Sequence, residues 1–560
     1  MCSEIYTLPN YKINTIKMRK LYCFLILILF SSLSFAQEVK PVKNVILMIP
    51  DGTTTAVYSA ARWYKVYNNM GDKLHVDPYF TGTVTTFSSN APIGDSAPTT
   101  SCYMTGVPSR AGWVSTYPLA DPNDLFDSDS TMAYQPLVTI LEASRIEKNK
   151  ATGLVVTSHF TDATPADCAS HHYNRGNSKA LAPQMAYQNL DVMFGGGNGI
   201  LTEDIKQHFK NSGTTLIQND RKAMLNYNHT NKVWALFGDK ALPFDIDRDY
   251  EEVPSLAEMT EKALNVLSKN ENGFFLMVEG SQVDWAAHQK DPVAIITEFI
   301  AFDEAVGKAI KFAKKNEETV VVVLSDHGTG GFSIGKSACR GYNQLSLEEL
   351  FGEVSKYKLT SAGLEEKLIE VNPENMKSEF KKYTDIDLTD DEMENLISSK
   401  NYKGDKSEDG KSSSGMRSNI IKIMNAHMCF GFTTYGHTGE EVLLAAYHPD
   451  GTVPRGNVKN TDINDYLFKA SGLKTPLPEM TQNIFAKHTD VFSGFNFAIE
   501  NKDSDIPILV VKKGKSILKI PAFSSVGELN GEKFNLGSVT VYIDKNDTFY
   551  LPSNIKDKLN

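Results

Sequence analysis

Cysteine is scarce in this chain, with six residues in 560. That is too few for a disulfide scaffold, and no C-x-x-C pair is present. No apolar run reaches the roughly 20 residues that a membrane-crossing helix needs; the longest covers residues 21–30. Cations are in deficit. Lys+Arg number 57 against 68 Asp+Glu, for a net charge of −11, which argues against a nucleic-acid binder held by phosphate contacts. Proline and glycine, at 23 and 38, are not enriched, so neither a collagen-like nor a low-complexity chain is in view. What is present is ordinary globular material, 41% hydrophobic and 22% charged, long enough for two to four domains.

The amino-terminal residues carry an address. Met18-Arg19-Lys20 is basic, residues 21–30 are apolar, and Ser34-Phe35-Ala36 sets small residues before Gln37. Residues 1–36 therefore read as a cleavable secretory signal peptide, with Met18 as the expected start of translation. The product is expected in the periplasm or outside the cell, with no transmembrane segment after cleavage. Cys102, Cys168, Cys339 and Cys429 then remain. Export permits disulfides, and free thiols and one or two bridges are both open.

Short β-branched runs end in polar residues along the chain. Residues 45–49 stop at Pro50-Asp51, 153–157 at Ser158-His159, 274–278 at Glu279, and 320–324 at Ser325-Asp326-His327; 442–446 is a further run. They are unbroken rather than alternating, as in strands buried on both faces. Helical stretches at 254–270 and 292–316 lie between them. The pattern predicts an α/β fold with a central, mostly parallel sheet flanked by helices. Ligands of such sheets bind beyond the carboxyl ends of the strands, where Asp51, Glu279, Asp326 and His327 fall. Residues 346–425 break the pattern. They are charged and helical to about 400, with a capping box from Thr389 to Glu392, and then a polar loop at 404–415. We read them as an insertion near the active site of a catalytic domain spanning 37–499. Residues 500–560 turn to short strands, at 506–511, 516–520, 538–543 and 548–551, and read as a small β module.

Asp284 and His288 are four residues apart and share one face of a helix. A carboxylate and an imidazole so placed suit zinc. Asp326-His327 supplies a second such pair at a strand end, and His437 lies between glycines in Tyr435-Gly436-His437-Thr438-Gly439. Singly, each is more often a helix cap or a solvated histidine; clustered at strand ends, they point to a metal centre. Ser96, in Gly94-Asp95-Ser96-Ala97-Pro98-Thr99, is expected at a helix start, where the first N–H groups hold phosphate oxygens. No G-x-S-x-G elbow surrounds it, so its hydroxyl needs another source of activation, such as a metal.

These motifs, together with Asp162-Ala163-Thr164-Pro165 and Asp191-Val192-Met193-Phe194-Gly195-Gly196-Gly197, resemble bacterial alkaline phosphatase, in family order from residue 44 to about 447. The resemblance implies an exported enzyme that hydrolyses small phosphate monoesters, releasing an alcohol and inorganic phosphate. It implies Ser96 as the nucleophile that becomes phosphorylated and Arg175 as a bidentate clamp on phosphate oxygens. Two zinc ions are implied, one held by Asp284, His288 and His437, the other by Asp51, Asp326 and His327. One magnesium ion would be held by Asp51, Thr164 and Glu279, with Asp162 touching it through water. Trp285 stands where relatives often carry Lys or His, which removes a water-mediated phosphate contact. His159, His171 and His172 read as surface or structural residues. A homodimer is one assembly open to the chain, and no nucleic-acid-binding surface is expected. The rival readings are a phosphodiesterase or other member of the superfamily, and a non-catalytic exported binding protein or adhesin.

Overall fold

The computed structural model describes residues 38–400 and 415–559. The signal-peptide reading and nearly all of the 404–415 loop lie outside the described residues. Ten strands build the central sheet: β1 (Asn44–Pro50), β2 (Phe80–Thr85), β3 (Ala151–His159), β4 (Val192–Gly196), β5 (Thr215–Gln218), β6 (Val233–Leu236), β7 (Phe274–Gly280), β8 (Thr319–Leu324), β9 (Val442–Tyr447) and β10 (Gly456–Lys459). Their spatial order is β10-β2-β9-β8-β1-β7-β3-β4-β6-β5. Seven neighbours from β8 to β5 are mutually parallel. The central strands β1, β7 and β8 are buried along their whole lengths, which is why their sequences show no alternation. The helices Leu256–Leu267 and Pro292–Asn316 pack on each other and against this sheet. The second begins with Pro292 behind Asp291, whose side chain accepts from the Ala294 amide, a well-formed helix start.

β9 alone opposes its neighbours β8 and β2. The cause is the route by which the chain returns. Gly328–Thr329, just past the carboxyl end of β8, pairs antiparallel with His437–Thr438. The chain thus re-enters at the end where β8 stops and can only run back down beside it. This ribbon also carries His437 to the strand ends.

Between the two halves of that ribbon lie the helices Ser361–Ile369, Pro373–Thr384, Asp390–Ser399 and Met416–His427. The capping box of Thr389 and Glu392 is formed. Leu364, Leu368, Met376, Phe380, Leu396 and Ile420 join the same hydrophobic core as the sheet. Cys339 and Cys429 are bridged across the base of this segment, while Cys102 and Cys168 are free and buried.

Toward the carboxyl terminus a five-stranded antiparallel sheet runs from Asn496–Glu500 to Glu532–Asn535. A three-stranded one joins Ala486–Lys487, Thr548–Leu551 and Val541–Ile543. Both begin before residue 500, and their common core includes Val491, Phe492 and, from the preceding α/β part, Ala180. Among the described residues no helix is long and apolar enough to cross a membrane.

Candidate active site

The carboxyl ends of the central strands place the expected ligands side by side. β1 pairs with β7 so that Ile49 lies beside Glu279 and Pro50 beside Gly280, and Asp51 follows at once. Asp326 and His327 follow the neighbouring β8. Gly52 makes the close approach work. Its φ is +63°, and a Cβ there would meet Asp284 Oδ1 at 2.5 Å and Thr329 Oγ1 at 2.7 Å, so glycine alone fits. Its amide donates to Asp326 Oδ1 at 3.1 Å.

Ser96 opens the helix Ser96–Thr105 and is 1% exposed. Its Oγ lies 3.2 Å from His327 Nε2 and 3.5 Å from Asp51 Oδ2. Arg175 stands beside it, donating from Nη1 to Asp95 Oδ1 at 2.6 Å and from Nη2 to Asp162 Oδ1 at 3.0 Å. Asp95 also accepts from the Gly112 amide at 2.9 Å. Burial works against the guanidinium charge, yet Asp95 and Asp162 carry its pKa above the ordinary value.

The histidine tautomers follow from their partners. His437 Nδ1 lies 2.8 Å from the Gly94 carbonyl, and His288 Nδ1 contacts the Tyr435 carbonyl. A carbonyl only accepts, so both Nδ1 atoms carry the proton and both Nε2 atoms present lone pairs. Those two Nε2 atoms are 3.1 Å apart, and His288 Nε2 lies 3.4 Å from Asp284 Oδ2. Two acceptors and a carboxylate converging in this way are arranged for a cation. The same logic fixes His327. Thr329 Oγ1 donates to Asp284 Oδ1 at 2.6 Å, which leaves its oxygen to accept from His327 Nδ1 at 3.2 Å. His327 Nε2 then faces Asp51 Oδ1 at 3.5 Å and Asp326 Oδ2 at 3.3 Å. Two groups have ligand atoms mutually within 4.8 Å: Asp284, His327 and His437, and Asp51, Asp326 and His327. His327 belongs to both.

The carboxylates are too many for the protein alone. Asp51 Oδ1, Thr164 Oγ1, Glu279 Oε2 and Asp326 Oδ2 are buried without a hydrogen-bond partner. Burial and the Asp162 charge push Glu279 up to about 8. Burial, with Asp284 adding to it, pushes Asp326 up to about 6. Asp51 is raised well above the carboxylate range by burial and by Asp326, Asp284 and Glu279. Buried anionic lone pairs without donors are costly, and divalent cations would relieve that cost, so the residues present fit metal ions. Thr164 lies in the first turn of the helix Ala163–Ala169, capped by Asp162. Trp285 is half-buried beside Asp284.

Sequence reasoning passed over two residues of this cluster. Thr329 ties His327 to Asp284, and Asp95 anchors Arg175; both flank residues already singled out, and that adjacency was the available signal. His171 is buried between Ser115 and Glu142, and His172 pairs with backbone at Asn174. Neither enters a metal-binding group.

A family model for alkaline phosphatase matches residues 42–473. Alkaline phosphatase 3 of Bacillus subtilis (strain 168) is 34% identical over 447 residues, which cover 77% of this chain and 89% of that protein. Among solved structures, the cold-active alkaline phosphatase from the psychrophile Shewanella sp. aligns with a TM-score of 0.65 at 25% identity, covering 77% of this chain and all of that one. A variant of the alkaline phosphatase from the Antarctic bacterium TAB5, with aspartate in place of a histidine and Mg bound in its M3 site, aligns at 0.53 and 25% identity over 78% of this chain and 100% of its own. Every residue from Asp51 to His437 discussed above falls inside the matched span, and the chain belongs to the alkaline phosphatase family.

Proposed function

We propose that this phosphatase hydrolyses phosphate monoesters through a phosphoserine intermediate on Ser96. The observation that supports the reading best is the Ser96 hydroxyl itself, at a helix start and 3.2 Å from His327 Nε2. In the first step the Ser96 hydroxyl gives up its proton and Oγ forms a bond to phosphorus, the bond from phosphorus to the ester oxygen breaks, and that oxygen takes up a proton and leaves as the alcohol. In the second step water attacks the same phosphorus, the bond to Oγ breaks, and Ser96 and inorganic phosphate are regenerated. The helix amides behind Ser96 face the phosphoryl oxygens. Arg175, held in orientation by Asp95 and Asp162, has five N–H donors and can serve phosphate as well as those two carboxylates.

In this reading one zinc ion is held by Asp284, His288 and His437 and a second by Asp51, Asp326 and His327. Magnesium is held by Asp51, Thr164 and Glu279, with Asp162 close by. These cations, when bound, lower the pKa of the Ser96 hydroxyl and neutralise charge on the leaving oxygen. The third site lacks histidine, and an all-oxygen set suits magnesium, as in the TAB5 variant with Mg in its M3 site. The reading also includes export through residues 1–36, to the periplasm or the exterior. The Cys339–Cys429 bridge supports an oxidising compartment.

Ser96→Ala tests it. With a labelled phosphomonoester and acid trapping, the variant should yield no phosphoprotein while zinc content stays near wild type. A normal phosphoprotein yield would remove Ser96 from this role.

A further inference from the structure

The amino-terminal edge of the sheet, opposite the proposed ligands, carries a cleft of about 600 Å³. Lys150 sits directly before β3, Asp191 before β4 and Lys232 before β6, and with Arg145 they line it. Three cations and one carboxylate thus line one cleft, with Arg145 and Lys232 close enough to Asp191 to interact with its charge. Among the described residues none of the three is in an ion pair. Lys150 is 5% exposed, and its Nζ has one partner, the Val42 carbonyl at 3.1 Å. Lys232 Nζ donates to the Asn189 carbonyl at 2.7 Å. Arg145 donates from Nη2 to Gln188 at 3.1 Å, while its Nε is buried without a partner. Glu142, behind Arg145, is already engaged by His171 and the Thr139 amide. Asp191 accepts from the Thr152 amide at 2.8 Å.

The remaining lining is equally specific. Asn149, Asn189, Asn270 and Asn535 lie in the lining, and no aromatic ring does; Asn189, Asn270 and Asn535 already make one or two side-chain bonds within the protein and offer their remaining donors and lone pairs. Side-chain amides both donate and accept, as sugar hydroxyls require; without a stacking surface the cleft offers nothing to a nucleobase. The size is that of a small-molecule site rather than of a single ion. Asn535 and Gly537 come from the carboxyl-terminal sheet region, so the two parts of the chain build the cleft together.

We propose that this cleft binds a sugar carrying a phosphate or sulfate group, with Arg145, Lys150 and Lys232 on the anion and the asparagines on the hydroxyls. Burial supports the assignment. It lowers Lys150 to about 8, with Lys148 adding to the effect, and lowers Lys232 and Arg145 as well. For Arg145 and Lys232 burial outweighs the nearby Asp191 charge, and a bound anionic group would add the counter-charge that burial leaves short.

The test is calorimetric titration of the metal-replete protein with glucose 6-sulfate, which the proposed phosphatase chemistry does not consume. Wild type should bind it, and Arg145→Gln and Lys232→Gln should each weaken binding about tenfold or more, as expected for loss of a charge-assisted contact. Turnover of p-nitrophenyl phosphate should stay unchanged in both, which also reports that they fold. Lys232 is the more exposed of the two lysines, so its variant guards against a folding defect. Absence of binding to wild type overturns the proposal. So does binding that survives both variants, or binding lost instead in Arg175→Ala, which would place the ligand at the catalytic edge. Inorganic sulfate binding as tightly as glucose 6-sulfate would overturn the sugar recognition.

Discussion

His172 is 3% exposed, and the Asn174 amide donates to its Nδ1 at 3.0 Å. Burial draws its pKa down to about 4, against about 6.5 in an unfolded chain. The unfolded state therefore takes up the proton first. Stability from this group is complete above pH 6.5 and is lost as pH falls toward 4, by about 3 kcal/mol in all. His172→Gln should flatten the urea-unfolding midpoint between pH 7 and pH 4.5. A variant that loses stability with acid as steeply as wild type would assign the acid sensitivity to other groups. Residue type made most of the cluster legible in the sequence, since Asp, His and Ser at strand and helix ends carry their chemistry in their side chains. Thr329 and Asp95 were marked only by lying next to residues already singled out, and their roles were not legible. Each acts by orienting another side chain, His327 or Arg175, and a threonine or aspartate in a turn is too common to signal that.

The helical segment between Gly328–Thr329 and His437–Thr438 is closed at its base by the Cys339–Cys429 bridge, whose cysteines are 90 positions apart. A cross-link over a loop of that length removes unfolded-state entropy worth about 4.6 kcal/mol in the chain-entropy picture. The bridge is supported locally: the Gly335 amide donates to the Cys429 carbonyl at 2.7 Å, and Asn425 donates to the Lys290 carbonyl at 2.8 Å, close behind His288. Replacing both cysteines by serine should lower the thermal midpoint and speed proteolytic cleavage within residues 346–425. An unchanged midpoint and cleavage rate would show that packing of Leu364, Phe380 and Ile420 alone holds the segment. At this scale the short buried strands β4 and β6 went unread, while β1, β3, β7, β8 and β9 were readable because their longer runs are unbroken and apolar. β2 and β10 were not, since they lie at the sheet margin with mostly half-buried or exposed residues and have no apolar run to betray them. The direction of β9 is set by the returning ribbon, and composition holds no record of it.

Across the whole molecule, the α/β part and the carboxyl-terminal sheets share a seam. A chain cut after Glu500 would keep every proposed ligand. It would uncover Val491 and Phe492 and leave Ala486–Lys487 without its partner Thr548–Leu551. We expect such a truncation to retain turnover per bound metal and to melt at a lower temperature; loss of turnover in folded, fully metallated material would show that the sheets reach the active site. The α/β class was legible from strand and helix alternation. The seam was not, because it is made of scattered contacts such as Ala180 in the shared core, Tyr173 with Asp544 and Ser525 with the Tyr187 carbonyl, none of which has a periodic signal. The register of the central strands reaches further still. Val45 of β1 lies beside Phe275 and Val320, so the first strand made is flanked by two that are made far later. Closing such long loops is entropically expensive and slow. In a chain emerging amino end first, β1 waits as an apolar strand with both edges open, a target for chaperones and for aggregation. Asp51 meets Asp326 and His327 only when β8 docks, so whatever delivers the metals must meet a nearly finished chain.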